Sequence, residues 1–339
     1  MNDPIHHARE LIHCDLLRFE EALAEALKPQ AEYLTEAEYE TYRRGKKLRP
    51  LILLLSARLH SKCAEEPLPN KVIQAAVSLE MLHVATLIHD DIVDIAPLRR
   101  GLKTVYAERG TEMAVLIGDL QFIQAIRCFA AGIDAQEDMH LVRMVLDVGF
   151  KICCGELDEI MTDPSWDLET LEKRYLRTVD RKTAALFALA CESGATLMGA
   201  GKRAAFYLSR FGRQFGVAFQ IMDDIFDLMR PEDLSGKVRG IDIAQGRLTL
   251  PAIYALGELT EDHVLRRILR REPHTPAELH HAVEAVIESG GLLKAYSRAR
   301  KIALEAADFL TEFPASPHRD ALTEIAQYIV NRGFLNPES

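Results

Sequence analysis

The chain has 339 residues, 48% of them hydrophobic, with a formal net charge of −10 and six cysteines. That length and apolar content can bury a large core, while the acidic balance and the lack of a long Lys/Arg block exclude a surface built for nucleic acid. Cys14, Cys63, Cys128, Cys153, Cys154 and Cys191 show no CxxC spacing, so neither a zinc site nor a disulfide framework is expected, and a reducing cytosol fits.

The N-terminal MNDPIHHARELIHCDLL has no basic region leading into an apolar run, and no stretch of roughly 18 uninterrupted apolar residues follows anywhere. A soluble, unsecreted protein without a transmembrane segment is expected. In GKKLRP, Lys46 and Arg49 stand three residues apart at the start of an apolar helix, where free helix-end amides assist an anion. After the connector AEEPLPN, Val72, Ala76, Leu79, Leu82, Leu87 and Ile88 mark one helical stripe that runs into DDIVD, Asp90 to Asp94. Arg99 and Arg100 follow directly. Beyond DPSWD around Trp166, DRKTAALF carries Lys182 and Thr183, and the apolar FGVAFQIM runs into a second motif, DDIFD, Asp223 to Asp227. Lys237 lies in SGKVRGID, and RREPHTP separates the last helical segments. Without alternating strand patterns, low-complexity tracts or flexible linkers, residues 1–339 read as one all-helical domain, with a hint of a pseudo-repeat in the two motifs.

On a helix, Asp90 and Asp94 share a face, as do Asp223 and Asp227, with Asp91 and Asp224 flanking them. Like charges at that spacing repel by roughly 0.2–0.5 kcal/mol per pair, so each cluster calls for a cation. Hard carboxylate oxygens favour Mg²⁺, which keeps waters or takes substrate phosphate oxygens. A lone DDxxD is most often a solvated acidic face. Two copies, each behind an apolar helix and each near basic residues, instead point to metal-diphosphate sites. The diphosphate itself requires Lys or Arg beside the metal.

These residues resemble the trans-polyprenyl diphosphate synthase family, of octaprenyl or other medium-to-long-chain type. The likeness runs from about Tyr42 to Arg332 through GKKLRP, EMLHVATLIHDDIVDIAPLRRG, GD, GE, KTAALF, FQIMDDIFDL and GxDxxxGxxTLP. It implies the all-α isoprenoid synthase fold, a large helical bundle with both motifs facing a central cavity, usually as a homodimer in the cytoplasm. By the same likeness Asp90, Asp91, Asp94, Asp223 and Asp224 are Mg²⁺ ligands, with Asp227 completing the second cluster and three ions per site. Lys46, Arg49, His83 and Arg100 resemble the isopentenyl diphosphate pocket; Arg99, Lys182, Thr183, Gln220 and Lys237 resemble the allylic diphosphate side. His83 lies one heptad before Asp90, on roughly the same face. The chain departs from the family at Glu159, commonly Gln, at Val238, commonly Pro, and at Arg247, commonly Lys. None of these removes a metal ligand.

The implied reaction ionises an allylic diphosphate and joins it to isopentenyl diphosphate, with the catalytic set Asp90, Asp91, Asp94, Lys182, Asp223, Asp224 and Lys237. Apolar walls keep water from the cation; Phe215 and Phe219 are expected to be core. Ala85 and Thr86, one turn before Asp90, are small where short-chain relatives carry bulk, which suggests products longer than twenty carbons. Phe122, Ile126 and Phe129 are candidates for a lower floor, although Gln121 and Gln124 are unusually polar there. The alternatives are a short-chain farnesyl or geranylgeranyl diphosphate synthase, a class I terpene cyclase and a non-catalytic synthase subunit. A cyclase needs no second DDxxD, and a non-catalytic subunit loses aspartates that this chain retains.

Overall fold

A computed structural model describes residues 3–43, 45–61, 63, 66–99, 101–133, 139–229 and 239–331; Arg100, Lys237 and Val238 fall outside them. In chain order the helices are α1 (Pro4–Leu11), α2 (His13–Leu27), α3 (Glu36–Arg43), α4 (Leu48–Arg58), α5 (Asn70–Val93), α6 (Val105–Gly132), α7 (Met139–Ile160), α8 (Leu168–Val179), α9 (Ala185–Leu197), α10 (Lys202–Met229), α11 (Ile241–Ala244), α12 (Leu250–Leu256), α13 (Val264–Leu269), α14 (Pro276–Glu288), α15 (Gly291–Leu310) and α16 (Pro317–Asn331). A 3₁₀ turn (Lys28–Gln30) follows α2, and one π-helical turn (Asp180–Ala184) joins α8 to α9. The helical expectation holds, with one addition. A two-stranded antiparallel hairpin, β1 (Leu98–Arg99) and β2 (Leu102–Lys103), closes the loop after the first aspartate motif. Gly101 at φ 79° supplies its tight turn.

The connectors behave as their composition dictates. Thr275 and Glu278 form a reciprocal capping box that starts α14, with Pro276 in its first turn. Asp167, in the DPSWD connector, accepts the Thr170 amide and starts α8.

Two compact units emerge. The first comprises Met1–Asp147, Leu189–Ser209 and Glu312–Leu322. Its axis is α5, packed by α2, α4 and α6. Nearly all of α4 is buried, which matches a sequence apolar all round. A Cβ on Gly118 would lie 2.2 Å from the His89 ring, and one on Gly132 2.6 Å from Gln74 Cβ, so α5 and α6 touch closely at both places. Between those contacts α6 turns Gln121 and Gln124 inward, 0% and 7% exposed, rather than Phe122. Gln121 exchanges amide hydrogen bonds of 3.0 and 3.1 Å with Gln30 and accepts from the Tyr42 hydroxyl, while Gln124 donates to Ala26 O at 3.0 Å. Of the floor candidates only Phe129 is buried. The helical phase fixed by Ala114, Ile117, Gly118 and Ala125 forces this outcome.

The second unit comprises Val148–Ala188, Arg210–Thr311 and Thr323–Ser339. Here α12 packs on α8, α14 and α15, with Gly291 against Pro251 O. Phe187, Phe211 and Phe215 are fully buried; Phe187 and Phe215 meet edge to face at 5.0 Å, and Phe219 joins the same stack. Phe215 is therefore a core residue, as expected, whereas Phe219 packs on it but is only half-buried.

By length and composition α5 and α6 are each apolar enough to cross a membrane, despite the charges that punctuate them. The apolar window of α5 is 72% buried, which marks a core helix, whereas that of α6 is 39% buried and leaves Val115, Leu116 and Ile123 exposed.

Candidate active site

The first cluster sits where α5 ends. Asp94 caps the helix, its amide bonded to Asp90 O at 2.8 Å, and Ile95 reverses the chain at φ 52°. The Ala96 amide then returns to Asp91 O, and the β1–β2 hairpin brings Arg99 back over the motif. Its Nε donates to Asp91 Oδ1 at 2.8 Å. Asp91 is 5% exposed, whereas Asp90 and Asp94 are half-buried. The flanking aspartate of the helical wheel is thus the one turned inward. Burial pushes its carboxyl above the usual range, Arg99 pulls it back in part, and Asp94 raises it further.

The second cluster ends α10. Asp223 is exposed, and Asp224 and Asp227 are buried. Asp224 accepts from the Tyr175 hydroxyl at 2.6 Å and from Gln220 Nε2 at 2.9 Å; Gln220 in turn accepts from Thr183 Oγ1 at 2.8 Å. Thr183 and Gln220 therefore form a chain that orients Asp224. Asp227 Oδ2 accepts the Asp242 amide at 3.1 Å at the start of α11. Burial, then Asp242 and Asp223, drive Asp224 far above the normal carboxylate range despite its two donors. Asp242 is pushed up to about 7 by burial and by Asp227.

Lys182 lies in the π-helical turn, a local widening often found at functional sites. Its ammonium bridges Glu156 and Glu159 at 2.5 Å each. Gly155 makes room for this: a Cβ there would meet Lys182 Cγ at 2.7 Å. Burial pushes Glu159 up, but Lys182, Arg247 and Arg271 outweigh it and hold the carboxyl below its usual range.

Of the basic candidates in the first unit, Lys46 is exposed and Arg49 half-buried at the start of α4, and His83 is half-buried on α5. Ala85 is fully buried, and the Thr86 hydroxyl returns to His83 O at 2.7 Å. The sequence reading missed Tyr175 and Asp242. Asp242 stands in the GxDxxxG segment and had a signal; Tyr175, 49 residues from Asp224, had none.

Among the described residues no three His, Cys, Asp or Glu side chains converge into a closed metal cage. Two buried carboxylates raised by desolvation, each beside partly open neighbours, instead form clusters that a divalent cation would complete with waters or phosphate oxygens.

Helical bundles that present acidic motifs at helix ends, with lysines and arginines close by, form a class of diphosphate-handling enzyme. The sequence model of the polyprenyl synthetase family matches residues 30–286. The heptaprenyl diphosphate synthase component 2 of Geobacillus stearothermophilus is 32% identical over 322 residues, 94% of this chain and 96% of the relative. The geranylgeranyl diphosphate synthase of Methanosarcina mazei is 32% identical over 312 residues, 91% of each chain. A crystal structure of a Caulobacter crescentus polyprenyl synthase, complexed with calcium and isoprenyl diphosphate, superposes with a TM-score of 0.84 at 30% identity, covering 97% of this chain and 98% of its own. The chain belongs to the polyprenyl synthetase family. It is a prenyl-transferring enzyme on the all-α isoprenoid synthase fold.

Proposed function

We propose that this chain condenses an allylic diphosphate with isopentenyl diphosphate, head to tail, to give a linear all-trans polyprenyl diphosphate longer than twenty carbons. The observation that carries the reading is the paired carboxylate geometry: each motif buries one aspartate against its own donors, Arg99 for Asp91 and Tyr175 with Gln220 for Asp224, and leaves neighbours for a cation. Bound Mg²⁺, three ions per site, would neutralise the allylic diphosphate and stabilise it as a leaving group. Asp90, Asp91, Asp94, Asp223, Asp224 and Asp227 would hold the metal. Arg99, Lys182 and Lys237 are the cations assigned by family likeness to the leaving diphosphate, and Thr183 with Gln220 orients Asp224. Lys46, Arg49, His83 and Arg100 hold isopentenyl diphosphate. The allylic C–O bond breaks with its electron pair on the diphosphate; the isopentenyl double bond attacks the freed carbon; one proton leaves to the released diphosphate. No protein nucleophile takes part.

Ala85 and Thr86 support a long product, as does the heptaprenyl relative. Coverage of 91–97% of the chain by relatives and a solved structure supports one functional domain over residues 1–339. A homodimer is supported by exposed apolar residues at near-heptad spacing on α7, namely Met139, Leu146, Phe150, Leu157 and Met161 just beyond its end, and by Leu116 and Ile123 on α6. The cytoplasm is the proposed location, and nucleic acid is no partner.

Purified protein with Mg²⁺, farnesyl diphosphate and labelled isopentenyl diphosphate is expected to yield prenyl diphosphates beyond twenty carbons on chromatography. No elongation would defeat the reaction, and a dominant fifteen- or twenty-carbon product only the length. Ala85→Phe is expected to shorten the distribution; an unchanged distribution in an active variant removes Ala85 from the product wall.

A further inference from the structure

The segment before α4 holds a lysine in an unusual state. Lys47 adopts a left-handed conformation, φ 49° and ψ 39°, is 7% exposed, and precedes a helix that no side chain caps. A non-glycine residue rests there only when its surroundings over-determine it. The surroundings here are specific. Lys47 Nζ donates to both carboxylate oxygens of Glu20 on α2, at 2.6 Å to Oε1, and lies 5.8 Å from the centre of the Phe19 ring. From the other side, Arg9 on α1 donates to Lys46 O at 3.1 Å. The turn between α3 and α4 is therefore tied to α2 by the Lys47 side chain and to α1 by the Lys46 carbonyl, while Lys46 and Arg49 on either side carry the cations of the diphosphate cradle.

We propose that Lys47 and Glu20 are a positioning pair. Their ion pair holds the left-handed turn so that Lys46 and Arg49 present one fixed arrangement of charge to the diphosphate of isopentenyl diphosphate. Lys47 does not itself touch the substrate. This rests on the reading of Lys46 and Arg49 as that substrate's cradle, and it assigns the second lysine of GKKLRP a role opposite to the first. A buried ammonium held over an aromatic ring and paired with both oxygens of a half-exposed carboxylate is already engaged and is not presented to a phosphate.

The test is steady-state kinetics on the full-length enzyme, with thermal unfolding of each variant alongside. Lys47→Met is expected to raise the KM for isopentenyl diphosphate roughly tenfold or more, as misplacement of binding groups does, and to leave kcat and the allylic KM within about twofold. Glu20→Ala is expected to produce the same split, and the double variant to be no worse than either single one, because both remove one interaction. Two outcomes overturn the proposal. If Lys47→Met raises the isopentenyl KM while Glu20→Ala leaves it unchanged or lowers it, the lysine is a direct ligand. If both variants lower only the melting temperature, the pair is merely structural. Lys46→Met and Arg49→Met distinguish failure of the underlying reading, since an unchanged isopentenyl KM in those two would show that the cradle lies elsewhere.

Discussion

Asp91 and Asp224 hold the same place in their motifs and both are buried, yet the groups that meet them differ in kind. Asp91 faces a guanidinium delivered by a hairpin. Asp224 faces two neutral donors, and its charged neighbours Asp242 and Asp223 have its own sign. The first cluster is partly compensated before any ligand arrives; at the second, burial and like-charged neighbours push Asp224 toward its neutral form. A divalent cation therefore relieves more repulsion in the second unit than in the first, although one sequence pattern describes both.

Substitution at the open positions gives the largest effect. Asp90→Asn and Asp223→Asn are each expected to lower kcat by about 10²–10³, read in the isopentenyl incorporation assay. A near-normal rate in either variant would remove that cluster from the chemistry and break the equivalence of the motifs.

The next effect concerns the metal-free protein. Arg99→Met leaves a buried carboxyl without its cation and is expected to cost about 1.5–3 kcal/mol in urea unfolding with EDTA present. Tyr175→Phe removes a hydrogen bond to a carboxyl that burial already favours in its neutral form, and about 0.5–1.5 kcal/mol is expected. A reversed order would show that the guanidinium is not the stronger partner. The smallest effect belongs to Glu159→Gln, which removes one of the two carboxylates that Lys182 bridges and is expected to shift the allylic KM by only a few-fold, roughly 1 kcal/mol or less. No shift at all would mean that the Glu159 charge does not position the ammonium.

Much of this was legible in the sequence, and the gaps have physical causes. The helical period located α5 and α10, and the double DDxxD located both clusters. What helical phase alone could not fix was which aspartate turns inward. At the first motif that depends on a hairpin that returns Arg99 eight residues later; at the second it depends on Tyr175, brought in from a different helix. Lys46 and Lys47 are likewise indistinguishable by type, and only the left-handed turn and Glu20 separate them. Gln121 and Gln124 read as misplaced polar residues because their partners, Gln30, Tyr42 and Ala26 O, lie 79 to 98 residues away.

The two close approaches of α5 and α6, at Gly118 and Gly132, leave no room for a side chain at either position. Roughly 21 Å of paired helix lies between those points, at about 1.5 Å per residue. The space along it is therefore most simply remodelled by exchanging side chains between the two glycines, Ala85, Thr86 and Gln121 first among them. A designer who wants another product from this scaffold should hold both glycines constant and vary only what lies between them.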